Sequence, residues 1–131
     1  MNYLSDYTDA KQTKLWNENG AFFAFSKEQL DAEKKAGVSY VRIGAGLIAP
    51  KENASKILKG LESIIAEGIQ QDISDNGIKA IIHRELGNYE TQITGDISDT
   101  VDALEDYGIT RAQVSAEYPA YFQHCIDNDY F

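Results

Sequence analysis

The run His83-Arg84-Glu85-Leu86-Gly87-Asn88-Tyr89-Glu90, followed by Asp96, holds a set of side chains suited to acid–base or metal chemistry. Glu85 and Asn88 are three residues apart, which puts them on one face of a helix, and Glu90 and Asp96 follow. Together they could ligate a metal ion in a small metal-dependent enzyme, with His83 as general acid or base. Capping and a solvated helix face account for the same residues, so both readings stand at this level. His83 and His124 fall in different elements. Neither belongs to a pair of histidines four apart with a glutamate between, so zinc is not expected.

A second candidate is Gly44-Ala45-Gly46-Leu47-Ile48-Ala49, a glycine pattern directly after a strand-like run. A dinucleotide turn needs a helix that begins within the motif and an acidic residue about twenty positions later at the end of a second strand. Pro50 biases Ala49 away from helical angles, and the region twenty residues on is mid-helix in pattern. No Walker lysine is present either, so no cofactor is expected and the glycines are read as a bend or bulge between two strands. Cys125 has no basic activator nearby and is read as an inert, partly buried thiol. No nucleophile elbow marks a serine triad.

Residues 103–115, ALEDYGITRAQVS, have the rhythm of a helix-turn-helix centred on Thr110 to Ser115. Charge opposes a DNA-binding regulator of this kind. Arg111 and Gln113 would be the base readers, without the cluster of cations that neutralises phosphates. The motif is therefore read as an ordinary helical corner, with DNA binding as the alternative.

Charge carries the strongest signal. The 131 residues have a formal net charge of −9, yet residues 1–86 hold 12 acidic and 11 basic side chains. Residues 87–131 hold 9 acidic ones and a single basic one, Arg111. Such asymmetry points to a partner protein with a basic surface and away from direct contact with nucleic acid. At 100° per residue from Asp96, the side chains of Ile97, Val101 and Leu104 share one side of a helix. Asp99, Asp102, Glu105 and Asp106 take the opposite side. A carboxylate stripe of this kind imitates a run of phosphates and is the expected partner-binding surface. It is equally what a solubilising surface looks like.

Positioning these residues requires a small set of elements. Tyr3 to Asn17 reads as a first helix, AFFAF as a strand, and Ser26 with Gln29 as the cap of a helix ended by Gly37. VSYVRI and LIAP read as two strand segments. From Lys51 to Asn76, Ile57, Leu58, Leu61, Ile64, Ile65, Ile69 and Ile73 recur at helical spacing, and Gly60 and Gly68 within that helix mark places where another element packs closely. Ile78 to Leu86 forms a second apolar helical face, and NYETQITG reads as extended or looped. Asp96 then caps a helix to Tyr107, and Thr110 with Gln113 opens a last helix that Pro119 must kink or restart. The expected fold is α+β, a single small domain over residues 1–131 with one core. Its small antiparallel sheet comes from the N-terminal half and is packed by a long helix, and its C-terminal half is helical and acidic.

The first thirty residues lack the segments of a signal peptide, one cysteine cannot form an internal disulfide, and the apolar runs are short. A cytoplasmic protein without a membrane span is expected. In the combination FFAFSKEQ, IGAG, HRELGNYE, TGDISDTVDAL and YGIT, over roughly Phe22 to Val114, the chain resembles a family of small uncharacterised proteins encoded by bacteriophages and integrative mobile elements. That resemblance implies an accessory protein made in a bacterial host cell, with no catalytic residues to carry over. By analogy with small acidic proteins of such elements, the expected role is stoichiometric inhibition of a host defence complex, a CRISPR effector with its basic channel being one such target.

Overall fold

The computed structural model describes residues 1–131 and is of α+β class. Its elements in order are α1 (Leu4–Glu18), β1 (Phe22–Phe23), α2 (Lys27–Glu33), β2 (Tyr40–Gly44), β3 (Leu47–Pro50), α3 (Ala54–Asn76), α4 (Ile78–Asn88), α5 (Thr91–Thr94), α6 (Ser98–Ala103) and α7 (Arg111–Asn128). Short 3-10 turns at Lys51–Asn53 and Glu105–Tyr107 precede α3 and α7. No helix is long and apolar enough to cross a membrane.

The chain divides into two compact units, Asn2–Gln70 and Gln71–Phe131. Each has its own apolar cluster. In the first, Ala21, Leu47, Ala49 and Ile57 are buried, with Leu15, Trp16 and Ile43 packed against them. In the second, Ile81, Ile82, Leu86, Leu104, Ile109, Val114, Tyr121 and Cys125 form the cluster.

In the first unit the sheet has the order β1-β3-β2, antiparallel throughout. Phe23 faces Leu47 and Val41 faces Ala49 across the ladders, with a bulge between Arg42 and Gly44. The central strand β3 is buried along its whole length, as its unbroken apolar run requires. The two glycines serve this hairpin. Ala45 at φ 42° and Gly46 at φ 83° form a two-residue turn with both φ values positive, the geometry whose twist matches that of paired strands. The strand expected over AFFAF shrinks to two residues, with the Ala24 N–H still donating to the Gly46 carbonyl at the sheet's end.

Ser26 and Gln29 cap α2 as their spacing predicts: the Gln29 N–H donates to Ser26 Oγ and the Phe25 N–H donates to Gln29 Oε1. The helix stops at Glu33, short of Gly37, where Lys34 turns to extended angles. Gly60 and Gly68 of α3 do mark close packing. A Cβ at Gly60 would lie 2.8 Å from a Leu15 methyl, and one at Gly68 would lie 2.6 Å from the Thr8 methyl, both on α1.

In the second unit, three sequence expectations are corrected. NYETQITG is not extended, since Thr91–Thr94 makes one helical turn with the Thr91 hydroxyl buried and donating to the Leu86 carbonyl. The helix expected from Asp96 to Tyr107 is only Ser98–Ala103, followed by the 3-10 turn. Acidic side chains at 102, 105 and 106 oppose the partial negative charge at a helix C-terminus, and no basic side chain stands in the last turn to offset them. Pro119 does not restart α7, which runs unbroken from Arg111 to Asn128. Pro119 and Ser115 are both exposed, so the carbonyl that the proline leaves without a helical partner faces solvent.

Candidate functional site

Asp99 and Asp102 lie on α6, and Glu105 and Asp106 lie in the 3-10 turn that follows; all four side chains are exposed. Between them the chain alternates with anchors. Thr100 is fully buried and donates its hydroxyl to the Glu85 carbonyl at 3.2 Å, Leu104 is buried in the apolar cluster, and Tyr107 is half-buried. Ile97 and Val101 pack against the same cluster, as helical spacing from Asp96 predicts. The angular step changes after Ala103 from about 100° to about 120° per residue, so the carboxylates at 105 and 106 do not continue the α-helical stripe. They extend the acidic run around a tighter turn.

The strongest anchor of this run is a buried polar network absent from the sequence-based reading. Asp72 has no solvent exposure. Its carboxylate accepts both Nη1 and Nη2 of Arg84, at 3.0 and 2.9 Å, in a two-pronged pair. Asn76 Nδ2 donates to it at 2.8 Å and the Tyr107 hydroxyl at 2.5 Å. Arg84 Nε donates in turn to Glu85 Oε1 at 3.0 Å. Burial by itself would push the Asp72 carboxyl up. The hydrogen bonds from Arg84, Tyr107 and Asn76, with the Arg84 charge beside them, outweigh burial and hold it below the usual aspartate range. Burial also opposes the Arg84 charge, but its bonds to Asp72 and Glu85 dominate and make it harder still to deprotonate. Burial, and then the bond to Asp72, push the Tyr107 phenol up, so it remains a proton donor. The network therefore fixes the C-terminal end of the acidic run as Thr100 fixes its middle. One signal for it was present in the sequence: Asp72 and Asn76 interrupt the apolar face of α3 beside Ile69 and Ile73, and a charge in an apolar stripe requires a partner.

At the N-terminal end of the run, Asp96 does not act as the residue adjoining the helix; Ile97 holds that place. Asp96 Oδ1 accepts the Ser98 N–H at 2.9 Å, and hydrogen bonds from the Ser98 backbone and then its side chain lower the Asp96 carboxyl. Arg111 reaches back to Ser98 Oγ at 3.2 Å.

The residues considered for metal chemistry are engaged elsewhere. Glu85 holds Arg84 and accepts from Asn88 at 3.4 Å, while Glu90 is exposed at a left-handed backbone position. No three histidine, cysteine or carboxylate side chains converge in a metal-binding arrangement. His83 shares a 2.8 Å hydrogen bond with Glu117 of α7 and sets its ring edge-on to Tyr121, so it is not turned to the Glu85 set. Thr110 and Gln113 form the predicted reciprocal cap of α7, with the Thr110 N–H donating to Gln113 Oε1 at 2.8 Å. The side chains proposed to read bases are thus used in capping and in the contact to Ser98. Cys125 is a free thiol and fully buried.

A model of a family of unknown function (DUF7659) matches residues 4–124. The chain belongs to this family. No curated protein and no solved structure matches it. The matched segment covers most of both units and the whole acidic run from Asp99 to Asp106.

Proposed function

We propose that this chain acts by stoichiometric binding to another protein and that the segment from Asp99 to Asp106 is the contact. The target is a host protein with a basic, nucleic-acid-handling surface, of which a CRISPR effector is the type, and the chain is an accessory inhibitor of phage or mobile-element origin working in the bacterial cytoplasm.

The observation that carries the proposal is the placement of charge on the fold. Unit 2–70 holds nine acidic and nine basic side chains and is formally neutral. Unit 71–131 holds 12 acidic and 3 basic ones and so accounts for the entire −9. One of those three cations, Arg84, is buried in the Asp72 network, which leaves fewer to offset the exposed carboxylates. An acidic surface on a segment tied down at Thr100, Leu104 and Tyr107 is rigid before it meets a partner, which lowers the ordering cost of association. A field of one sign also steers encounter with a basic groove. The mobile-element origin rests on the motif resemblance alone.

The test is a pull-down from bacterial lysate with the wild-type chain and with Asp99, Asp102 and Asp106 all replaced by lysine. Wild type is expected to retain a basic nucleic-acid-binding protein and the variant to lose it while its melting temperature stays close to wild type, since exposed substitutions usually shift stability by about 0.5 kcal/mol each. Equal retention by a folded triple-lysine variant would show that the acidic face only keeps the chain solvated.

A further inference from the structure

We propose that the groove along the free edge of β2 is a docking site for an extended acidic peptide segment of a partner protein, which adds to the sheet as a further strand. Strand β2 pairs with β3 alone, so its other edge is open. An open cavity of about 470 Å³ is lined by the five consecutive residues from Val38 to Arg42, by Leu30 and Lys34 of the α2 region and by Ile48 of β3. A second cavity of about 290 Å³ shares Leu30, Arg42 and Ile48 with it and continues to Lys27. An open strand edge offers a row of backbone donors and acceptors, the element by which extended peptides are captured.

Charge chooses the occupant. The chain as a whole carries 21 acidic and 12 basic side chains, yet these two adjoining cavities are lined by Lys27, Lys34 and Arg42 and by no carboxylate. None of the three cations is in an ion pair; the pairs on the chain involve Lys11, Lys14, His83 and Arg84. A strand presents its side chains alternately to opposite faces. An incoming strand that alternates acidic and apolar residues would set the first on the face that Arg42 shares with its cross-strand partner Ile48, where Lys34 lines the same cavity, and the second on the opposite face with Val41. A second copy would bring the same cations to the same edge, and like charges facing across a ladder destabilise it. What favours a peptide over a nucleic acid is the open edge itself, whose backbone donors and acceptors pair with a peptide backbone and not with a sugar-phosphate one.

The probe is a fluorescein-labelled peptide of about ten residues alternating glutamate and valine, titrated with the full chain and followed by anisotropy. Three controls accompany it: the peptide with lysine for glutamate, the peptide N-methylated at alternate residues so that it cannot pair with a strand edge, and an oligo-dT. The acidic peptide is expected to bind, with at least about tenfold weaker binding for both peptide controls and for the exposed variants Arg42→Glu and Lys34→Glu. Amide resonances of residues 38–44 should shift on binding. Equal affinity for the N-methylated peptide would overturn strand addition. Binding of oligo-dT without the peptide, or of no probe at all, would overturn the peptide site. Neither variant touches the acidic run, so this outcome is independent of the pull-down above.

Discussion

Tyr107 closes the acidic run by donating its hydroxyl to Asp72 Oδ2 at 2.5 Å, across 35 positions of sequence. The acceptor is a fully buried carboxylate already gripped by both terminal guanidinium nitrogens of Arg84, so the bond joins the surface segment to a charged centre inside the unit. Such a buried pair is weak evidence for stability against a hydrophobic replacement, because desolvation offsets much of the attraction. Its consequence is positional: the aromatic ring, and with it Glu105 and Asp106, has one low-energy place.

Removing single members of this network should be costly in a graded way. Tyr107→Phe is expected to lose about 1.5–3 kcal/mol, the range for a hydrogen bond to a charged group. Asp72→Ala should lose about 3–5 kcal/mol, because Arg84 is then buried without its main counterion. Urea unfolding of the two variants measures both, and a Tyr107→Phe curve superimposable on wild type would show that the ring, not its hydroxyl, holds the segment.

The same network sets a pH dependence. The folded Asp72 carboxyl lies below its ordinary value of 3.8, so the unfolded chain takes up the proton first as pH falls. Its contribution is therefore complete above about pH 5 and is lost progressively as pH falls through 4 toward the lower folded value. The stability difference between wild type and Asp72→Asn should be flat from pH 5 to neutrality and shrink below about pH 4. A difference that grows on acidification would mean the carboxyl is not held ionised by its neighbours.

Gly68→Ala tests the contact between α1 and α3. Helix propensity favours alanine by about 1 kcal/mol, but the added methyl would meet the Thr8 methyl at 2.6 Å, and Thr8 is itself buried. Overpacking of that kind costs about 1–3 kcal/mol, so the variant should be less stable than wild type. Adding Thr8→Ser, which deletes the opposing methyl, should recover much of the loss in thermal melts.

Salt should separate steering from contact in the proposed complex. Raising ionic strength from low to physiological values shortens the screening length to about 8 Å and should slow association more than it speeds dissociation. Surface plasmon resonance against the captured partner would show this, and an association rate indifferent to salt would remove the electrostatic basis of the proposal.

Local chemistry was legible in the sequence wherever it depends on neighbours along the chain. Ser26 with Gln29 and Thr110 with Gln113 formed the caps their spacing predicted, the isoleucine periodicity of α3 marked its buried face, and Gly44 with Gly46 made a hairpin. Gly60 and Gly68 pointed to a close neighbour, although not to which one. The division of negative charge needed only counting.

Tertiary structure decided what depends on partners far apart in sequence. Asp72 stands out in sequence only as a charge in an apolar stripe, and Arg84 and Tyr107 not at all, until α3, α4 and the turn before α7 bring the three together. The end of α6 at Ala103 has no breaker residue; acidic side chains without a basic one in the last turn were its one local signal, and the buried Thr100 and Leu104 and the turn that delivers Tyr107 to Asp72 accompany it. His83 was drawn to Glu117 rather than to the carboxylates beside it in sequence, because neighbours on a helix point to different faces while side chains on packed helices meet. Spacing along the chain determines which faces exist; which faces meet is settled by packing, and packing placed the carboxylates at 99, 102, 105 and 106 on the outside.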